Sequence, residues 1–246
     1  MEIPFTLFGG DLDAIIWNLI AAFIVFVYIM LIIKFMDIMV GRGLSQDISR
    51  KVIHIAAGSW IVFWPLFYPN HWSYVFNIIV AVLWTLMFLQ KGLTASPDDP
   101  AVKTMTRTGD PKELLKGPLF FTLVMEFIGI LYFMDLKGIL VMAALGWGDG
   151  LAPVFGKYYG KNKYSIFGNE KSVQGSLAMF IFSWFAMIFL TLLIIPSCVI
   201  SNFTGFLTKT LILAIIATIV EALSPRDIDN LLIPAVLLIV LYLLPL

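Results

Sequence analysis

The chain is predicted to be all-α and polytopic, a bundle of about eight (seven to eight) transmembrane helices in one membrane domain over 1–246. Three observations carry that prediction. Hydrophobic residues make up 60% of the 246 positions against 13% charged, with a mean hydropathy of +0.95, more apolar surface than one water-soluble core buries. Apolar runs recur along the whole sequence, each near the roughly 20 residues that cross a hydrocarbon layer. Finally, the positive charges alternate from loop to loop.

The first run, 14–35, follows a stretch with Glu2, Asp11 and Asp13 and no Lys or Arg. It lacks the basic flank of a signal peptide and is expected to stay as a helix. Runs at 52–68 and 231–246 are short, which is why the count is seven to eight; those at 72–89, 117–134, 138–155, 174–195 and 205–223 are longer. The loops after helices one, three, five and seven hold fourteen of the sixteen Lys and Arg, Arg226 among them, leaving Lys137 and Lys209 opposite. Because Lys and Arg are retained on the cytoplasmic side, those loops are expected to be cytoplasmic and both termini non-cytoplasmic. The longest of them, 91–116, carries Ser96-Pro97-Asp98-Asp99-Pro100 and Gly109-Asp110-Pro111, turn chemistry that reads as an ordered-to-flexible loop. A net charge of zero gives nucleic acid no purchase as a partner, and the single Cys198 excludes an intrachain disulfide framework.

The dense polar clusters all fall on the predicted cytoplasmic side, where nucleoside triphosphates are. In the first, Arg50, His54 and Gly58 recur every fourth residue with Lys51 beside Arg50, so a helix gathers two cations and an imidazole at headgroup level. Anchoring to anionic lipid is the plainer explanation of the cations. In the second, Asp149 closes an apolar run between Gly148 and Gly150, followed by Gly156, Lys157, Gly160, Lys161, Lys163 and Lys171-Ser172-x-x-Gly175-Ser176. An ionised carboxylate at that depth requires a cation or a partner, and Mg²⁺ carrying a nucleotide is a natural one. Lys171 and Ser172 precede a helix whose free N–H groups favour phosphate. The competing explanation is a glycine-rich packing seam and a basic loop; the spacing is not a Walker A loop. In the third, Glu221, Asp227, Asp229 and Asn230 surround a Ser224-Pro225 turn and supply hard oxygen donors suited to Mg²⁺. Asp227 pairing with Arg226, or Asp229 and Asn230 capping a helix, would explain part of it. Glu126 lies mid-helix, with a role or a neutral hydrogen-bonded state both open. His71 reads as a turn residue.

Taken in order, Arg50-Lys51-x-x-His54-x-x-x-Gly58, Gly148-Asp149 with Ala152, Gly156 and Gly160, Lys171-Ser172-x-x-Gly175-Ser176, and Glu221 with Asp229-Asn230 and Pro234 resemble the phytol kinase and dolichol kinase family, over about 50–234. That family also includes farnesol kinases and a CTP-dependent diacylglycerol kinase. The stretch 107–119 is similar to the phytol kinase branch. The resemblance implies transfer of a phosphoryl group from a nucleoside triphosphate, often CTP, to a lipid hydroxyl. A distant likeness of Lys171-Ser172-x-x-Gly175 to phosphatidate cytidylyltransferases makes nucleotidyl transfer to a phospholipid the alternative, and a membrane transporter the third reading.

The roles expected on this basis place Mg²⁺ of the nucleotide on Asp149 and Asp229, with Glu221 or Asp227. Lys171, Ser172 and Gly175, together with Gly148, Lys157 and Asn230, would contact CTP or ATP. Arg50 and Lys51 would offset developing charge. Either His54 or Asp149 would serve as base toward an isoprenoid alcohol whose tail stays among membrane lipids.

Overall fold

The computed structural model describes residues 9–166, 169–198, 202–225 and 227–244. Glu2 and Arg226, which entered the charge pattern, lie outside them. The helices are α1 (Asp11–Gly41), α2 (Gln46–Gly58), α3 (Ile79–Thr94), α4 (Pro100–Met105), α5 (Gly117–Leu131), α6 (Leu136–Ala143), α7 (Asp149–Tyr159), α8 (Val173–Ile194), α9 (Phe203–Leu223) and α10 (Asp229–Leu243). Among the described residues, six helical runs are long and apolar enough to cross a membrane: Asp11–Gly41, Trp72–Thr94, Pro111–Leu131, Leu136–Tyr159, Val173–Ile194 and Phe203–Leu223. The all-α polytopic class is borne out.

The two short runs behave differently from the long ones. At the second, α2 begins at Gln46 rather than at 52, capped by the Ser45 hydroxyl, and gives way after Gly58 to a 3₁₀ helix over Ser59–Leu66. A 3₁₀ helix rises about 2.0 Å per residue against about 1.5 Å, so the 13 and 8 residues together reach about 35 Å. The last run, 15 residues in α10, reaches only about 22 Å, short of a ~30 Å core.

Non-helical backbone at membrane depth requires its polar groups to be met inside the protein. Two asparagines do this where the second run turns into the third. Asn18 of α1 accepts from the Tyr68 backbone N–H at 2.7 Å and donates to the Ser73 hydroxyl at 2.7 Å. Asn77 accepts from the Trp64 indole at 3.2 Å and donates to the Tyr74 and Gly129 carbonyls at 2.9 and 3.0 Å. His71 is indeed a turn residue, its ring accepting from Ser73 N–H.

The centre of the bundle is the run from α6 into α7. Ile139 through Leu145 are fully buried, as expected for a helix apolar on every side. Between α6 and α7, Ala144–Gly148 forms a π turn, in which the Asp149 N–H bonds the Ala144 carbonyl five residues back. Large residues such as Phe23, Leu31, Phe35, Phe185 and Leu193 are exposed on the outer helices, the surface a lipid solvent covers.

Two polar loops carry structure that their sequence did not announce. The segment 163–172, expected as a basic loop, is an antiparallel hairpin of β1 (Lys163–Ile166) and β2 (Asn169–Ser172). The segment 91–116 holds α4 and a 3₁₀ turn over Pro111–Leu115. Asp99 ties it down, accepting from Ala101 N–H and from Lys91, and Val102, Met105 and Leu114 pack with Phe88.

Candidate active site

Asp149 stands at the start of α7, 3% exposed, carried there by the π turn. Its carboxylate receives Lys51 Nζ at 3.1 Å and lies 3.4 Å from His54 Nε2. Lys51 also donates to the Asp149 carbonyl at 3.0 Å. His54 Nε2 is 3.1 Å from the Leu145 carbonyl; because a carbonyl only accepts, this contact assigns a hydrogen to Nε2, and in the neutral ring Nδ1 then keeps the lone pair. The Phe121 ring lies against the imidazole, centroids 4.0 Å apart. α2 can come this close because Gly58 meets Gly146 backbone to backbone; a Cβ on Gly58 would stand 2.7 Å from Gly146 Cα.

A second ion pair lies beside the first. Lys171, at the end of β2, donates to Glu221 Oε1 at 2.8 Å and to the Glu221 carbonyl, the side chains being 15% and 10% exposed. Asp229, at the start of α10, is close enough to feel the charges of Asp149, Lys51 and Lys171, and Glu221 feels Asp149 and Lys51 as well. Residues separated by as much as 178 positions therefore share one electrostatic neighbourhood.

Several expected residues are engaged otherwise. The Ser172 hydroxyl caps α8 by accepting from Gly175 N–H at 3.1 Å, so both are occupied by the helix start. Gly175 packs against Ala152 and Gly156, and Gly148 against Ser183 and Met179, so the glycines do form a packing seam between α7 and α8. Lys157 is largely exposed and pairs with Asp47, tying α7 to α2. Asp227 pairs with Arg107, 3.2 Å from its guanidinium. Among the described residues no group of three or more His, Cys, Asp or Glu side chains is gathered closely enough to hold a metal ion; of the expected donors beside Asp149 and Asp229, Glu221 is paired with Lys171 and Asp227 with Arg107.

Arg50 does not join Lys51 at Asp149. It lines a cavity of about 110 Å³ together with Lys51, His54, Arg107, Asp227, Asn230 and a set of apolar side chains. Burial lowers the Arg50 pKa from its ordinary value, and the neighbouring Arg107 guanidinium lowers it further. Arg107 was not among the expected site residues, although it opens the 107–119 stretch. Glu126 accepts from Thr85 at 2.6 Å, linking α5 to α3.

Comparison with known proteins decides the family. The chain is 34% identical to a probable phytol kinase 1, chloroplastic, of Oryza sativa subsp. japonica over 218 residues, 82% of this chain and 66% of the rice protein. It is 30% identical to phytol kinase 1, chloroplastic, of Arabidopsis thaliana over 87% of this chain and 71% of that protein. The chain belongs to the phytol kinase family. It is also 31% identical to farnesol kinase, chloroplastic, of Arabidopsis thaliana over 77% of its length and 62% of that protein. The chain spans about two thirds of the length of these phytol kinase family relatives. No protein-family model matches it, and no solved structure matches it significantly.

Proposed function

We propose that the chain is a membrane-embedded kinase that transfers the γ-phosphate of CTP, or of another nucleoside triphosphate, to the hydroxyl of an isoprenoid alcohol such as phytol, farnesol or a polyprenol. The supporting observation is the buried Asp149 carboxylate held between Lys51 and His54, with Asp229 and the Lys171–Glu221 pair in electrostatic reach, in a relative of phytol and farnesol kinases. Phosphoryl transfer asks chiefly for alignment and for charge placed around the moving group, and this neighbourhood supplies both signs.

In this reading the alcohol oxygen attacks the γ-phosphorus, the bond to the β–γ bridging oxygen breaks, and the hydroxyl proton passes to a base. His54 has the lone pair of Nδ1 for that proton, while its Nε2–H is fixed on the Leu145 carbonyl. Asp149 then stabilises the imidazolium that forms. Lys51 holds the Asp149 carboxylate in place, and Lys171 swings from Glu221 to the phosphates. Mg²⁺ brought by the nucleotide would be held by Asp149 and Asp229, neutralising the phosphate charge; one or two carboxylates plus phosphate oxygens are the usual donors for this ion. The alternation of Lys and Arg between loops supports a cytoplasmic-facing site.

The test is direct. Purified protein in lipid nanodiscs receives CTP or ATP labelled at the γ-phosphate, with phytol, farnesol, a polyprenol, diacylglycerol or phosphatidate. Label on a prenol, lost on chelating Mg²⁺, is expected. Label in released pyrophosphate with a nucleotide on phosphatidate would replace the kinase by a cytidylyltransferase.

A further inference from the structure

The cavity beside α2 is asymmetric in chemistry. Arg50, Lys51, His54, Arg107, Asp227 and Asn230 line it together with Val80, Ala81, Trp84, Phe88, Phe121 and Met125, and Arg107, Asp227 and Asn230 gather near Gly117. Two buried atoms of these lining residues have no hydrogen-bond partner, Arg50 Nε and Asn230 Oδ1. The Asn230 amide is oriented by its Nδ2, which donates to the Gly117 carbonyl at 3.4 Å. A donor and an acceptor left unmatched cost stability and are the complement of a hydroxyl, which both donates and accepts. An apolar slot closed by a few convergent polar groups fits an amphiphile with one polar end and one tail.

We infer that this cavity is the acceptor site, with the isoprenoid tail against Trp84, Phe88 and Phe121 and the hydroxyl received by Asn230 and Arg50 beside His54. This rests on the kinase reading above and gives it a direction: the alcohol reaches His54 from the α3–α5 side, and the nucleotide reaches Asp149 from the α8–α9 side. α2 stands between them, since Lys51 and His54 line the cavity and also contact Asp149. Asn230, expected from sequence to contact nucleotide, is reassigned to the alcohol.

Two measurements test this. A farnesol analogue bearing a diazirine on its distal isoprene unit is photolysed with the full chain in nanodiscs, and the adduct is mapped by mass spectrometry. Labelling within 80–88 or 121–125 is expected; labelling confined to other helices overturns the assignment. In parallel, Ala81→Leu narrows the slot and Asn230→Leu removes the acceptor. The expected results are a KM for phytol raised at least tenfold by either, a smaller effect of Ala81→Leu with geraniol, and a nucleotide KM within twofold of wild type. A rise in nucleotide KM for Asn230→Leu, or equal effects of Ala81→Leu on short and long alcohols, overturns the inference. Should Ala81→Leu fail to fold, Trp84→Leu asks the same question by widening the slot. Photolabelling does not require turnover, so a protein that is labelled in the cavity yet phosphorylates no alcohol would refute the kinase reading and not the site.

Discussion

Replacing Lys51 by Met removes the ammonium that neutralises Asp149 while keeping most of the side-chain volume. At 3.1 Å two unit charges attract by about 5 kcal/mol at an effective dielectric of about 20. Desolvation offsets much of that, but both residues are under 10% exposed, and taking one partner from a buried pair costs about 3–5 kcal/mol because the other charge is left behind. Lys51→Met is therefore expected to lose about that much stability. Asp149→Asn should be milder, since Lys51 keeps the backbone carbonyl at 3.0 Å and can use the amide oxygen. The double variant, with neither charge, should regain at least about 2 kcal/mol over Lys51→Met alone. Activity should not follow: every variant lacking the Asp149 carboxylate should turn over at least about a hundredfold more slowly, about 2.7 kcal/mol in the barrier. The assays are denaturant titration in mixed micelles and labelled-phosphate transfer in nanodiscs. If Asp149→Asn keeps more than about a tenth of wild-type turnover, or if the double variant is no more stable than Lys51→Met, the reasoning fails.

Lys171→Met should raise the nucleotide KM at least about tenfold and destabilise the protein by stranding buried Glu221; adding Glu221→Gln should restore stability and leave KM high, which steady-state kinetics with each variant will read. Gly58→Ala places a Cβ 2.7 Å from the Gly146 Cα, a backbone atom that cannot swing aside, so a loss of about 1–3 kcal/mol and a fall in turnover are expected. Gly41→Ala, with nothing within 4 Å, is the control, and equal melting temperatures for the two would remove the close contact from the account. Asp47 has its pKa lowered by the hydrogen bond from Lys157 first, against partial desolvation. A depressed carboxylate contributes stability above its unfolded pKa and loses it as pH falls through the folded one, so the α2–α7 tie should hold from pH 5 to 8 and weaken only below about pH 4. Hydrogen exchange of 46–50 between pH 3 and 6, wild type against Asp47→Asn, will show whether the difference is present at pH 5–6 and vanishes at the acid end.

The membrane class was legible because it rests on composition and run length, quantities local to each segment. Asp149, Lys51, His54, Lys171, Glu221 and Asp229 were also legible as a set, since ionisable residues at helix ends in an apolar chain are costly and therefore conspicuous. What was not legible depends on relations between segments. Asn18 and Asn77 look like ordinary polar interruptions until the 3₁₀ segments they serve are in place. Of the glycines around Asp149, Gly148 packs on α8 and Gly150 on Ile55 and His54 of α2, while Gly156 and Gly175 meet each other; a glycine run has the same spelling for packing as for phosphate. Ser172 was read as a ligand because the start of a helix can bind an anion or cap itself, and only the geometry decides. Phe121 carried no signal, one aromatic residue in an apolar run being like any other.

The two irregularities in the bundle face each other, and this explains why the site lies where it does. α2 loses its α-helical winding just after Gly58, and the central helix takes its π turn over Ala144–Gly148; Gly58 and Gly146 are the point of contact. A π turn adds one residue to the helix and so rotates everything after it by about 100° relative to α6. Without that rotation the sequence would aim Asp149 toward another neighbour. With it, Lys51 and His54, one turn apart on α2, both reach a single carboxylate oxygen. The π turn also leaves the Leu145 carbonyl positioned to take the His54 Nε2–H, so the same local departure that directs the Asp149 carboxylate also orients the His54 ring.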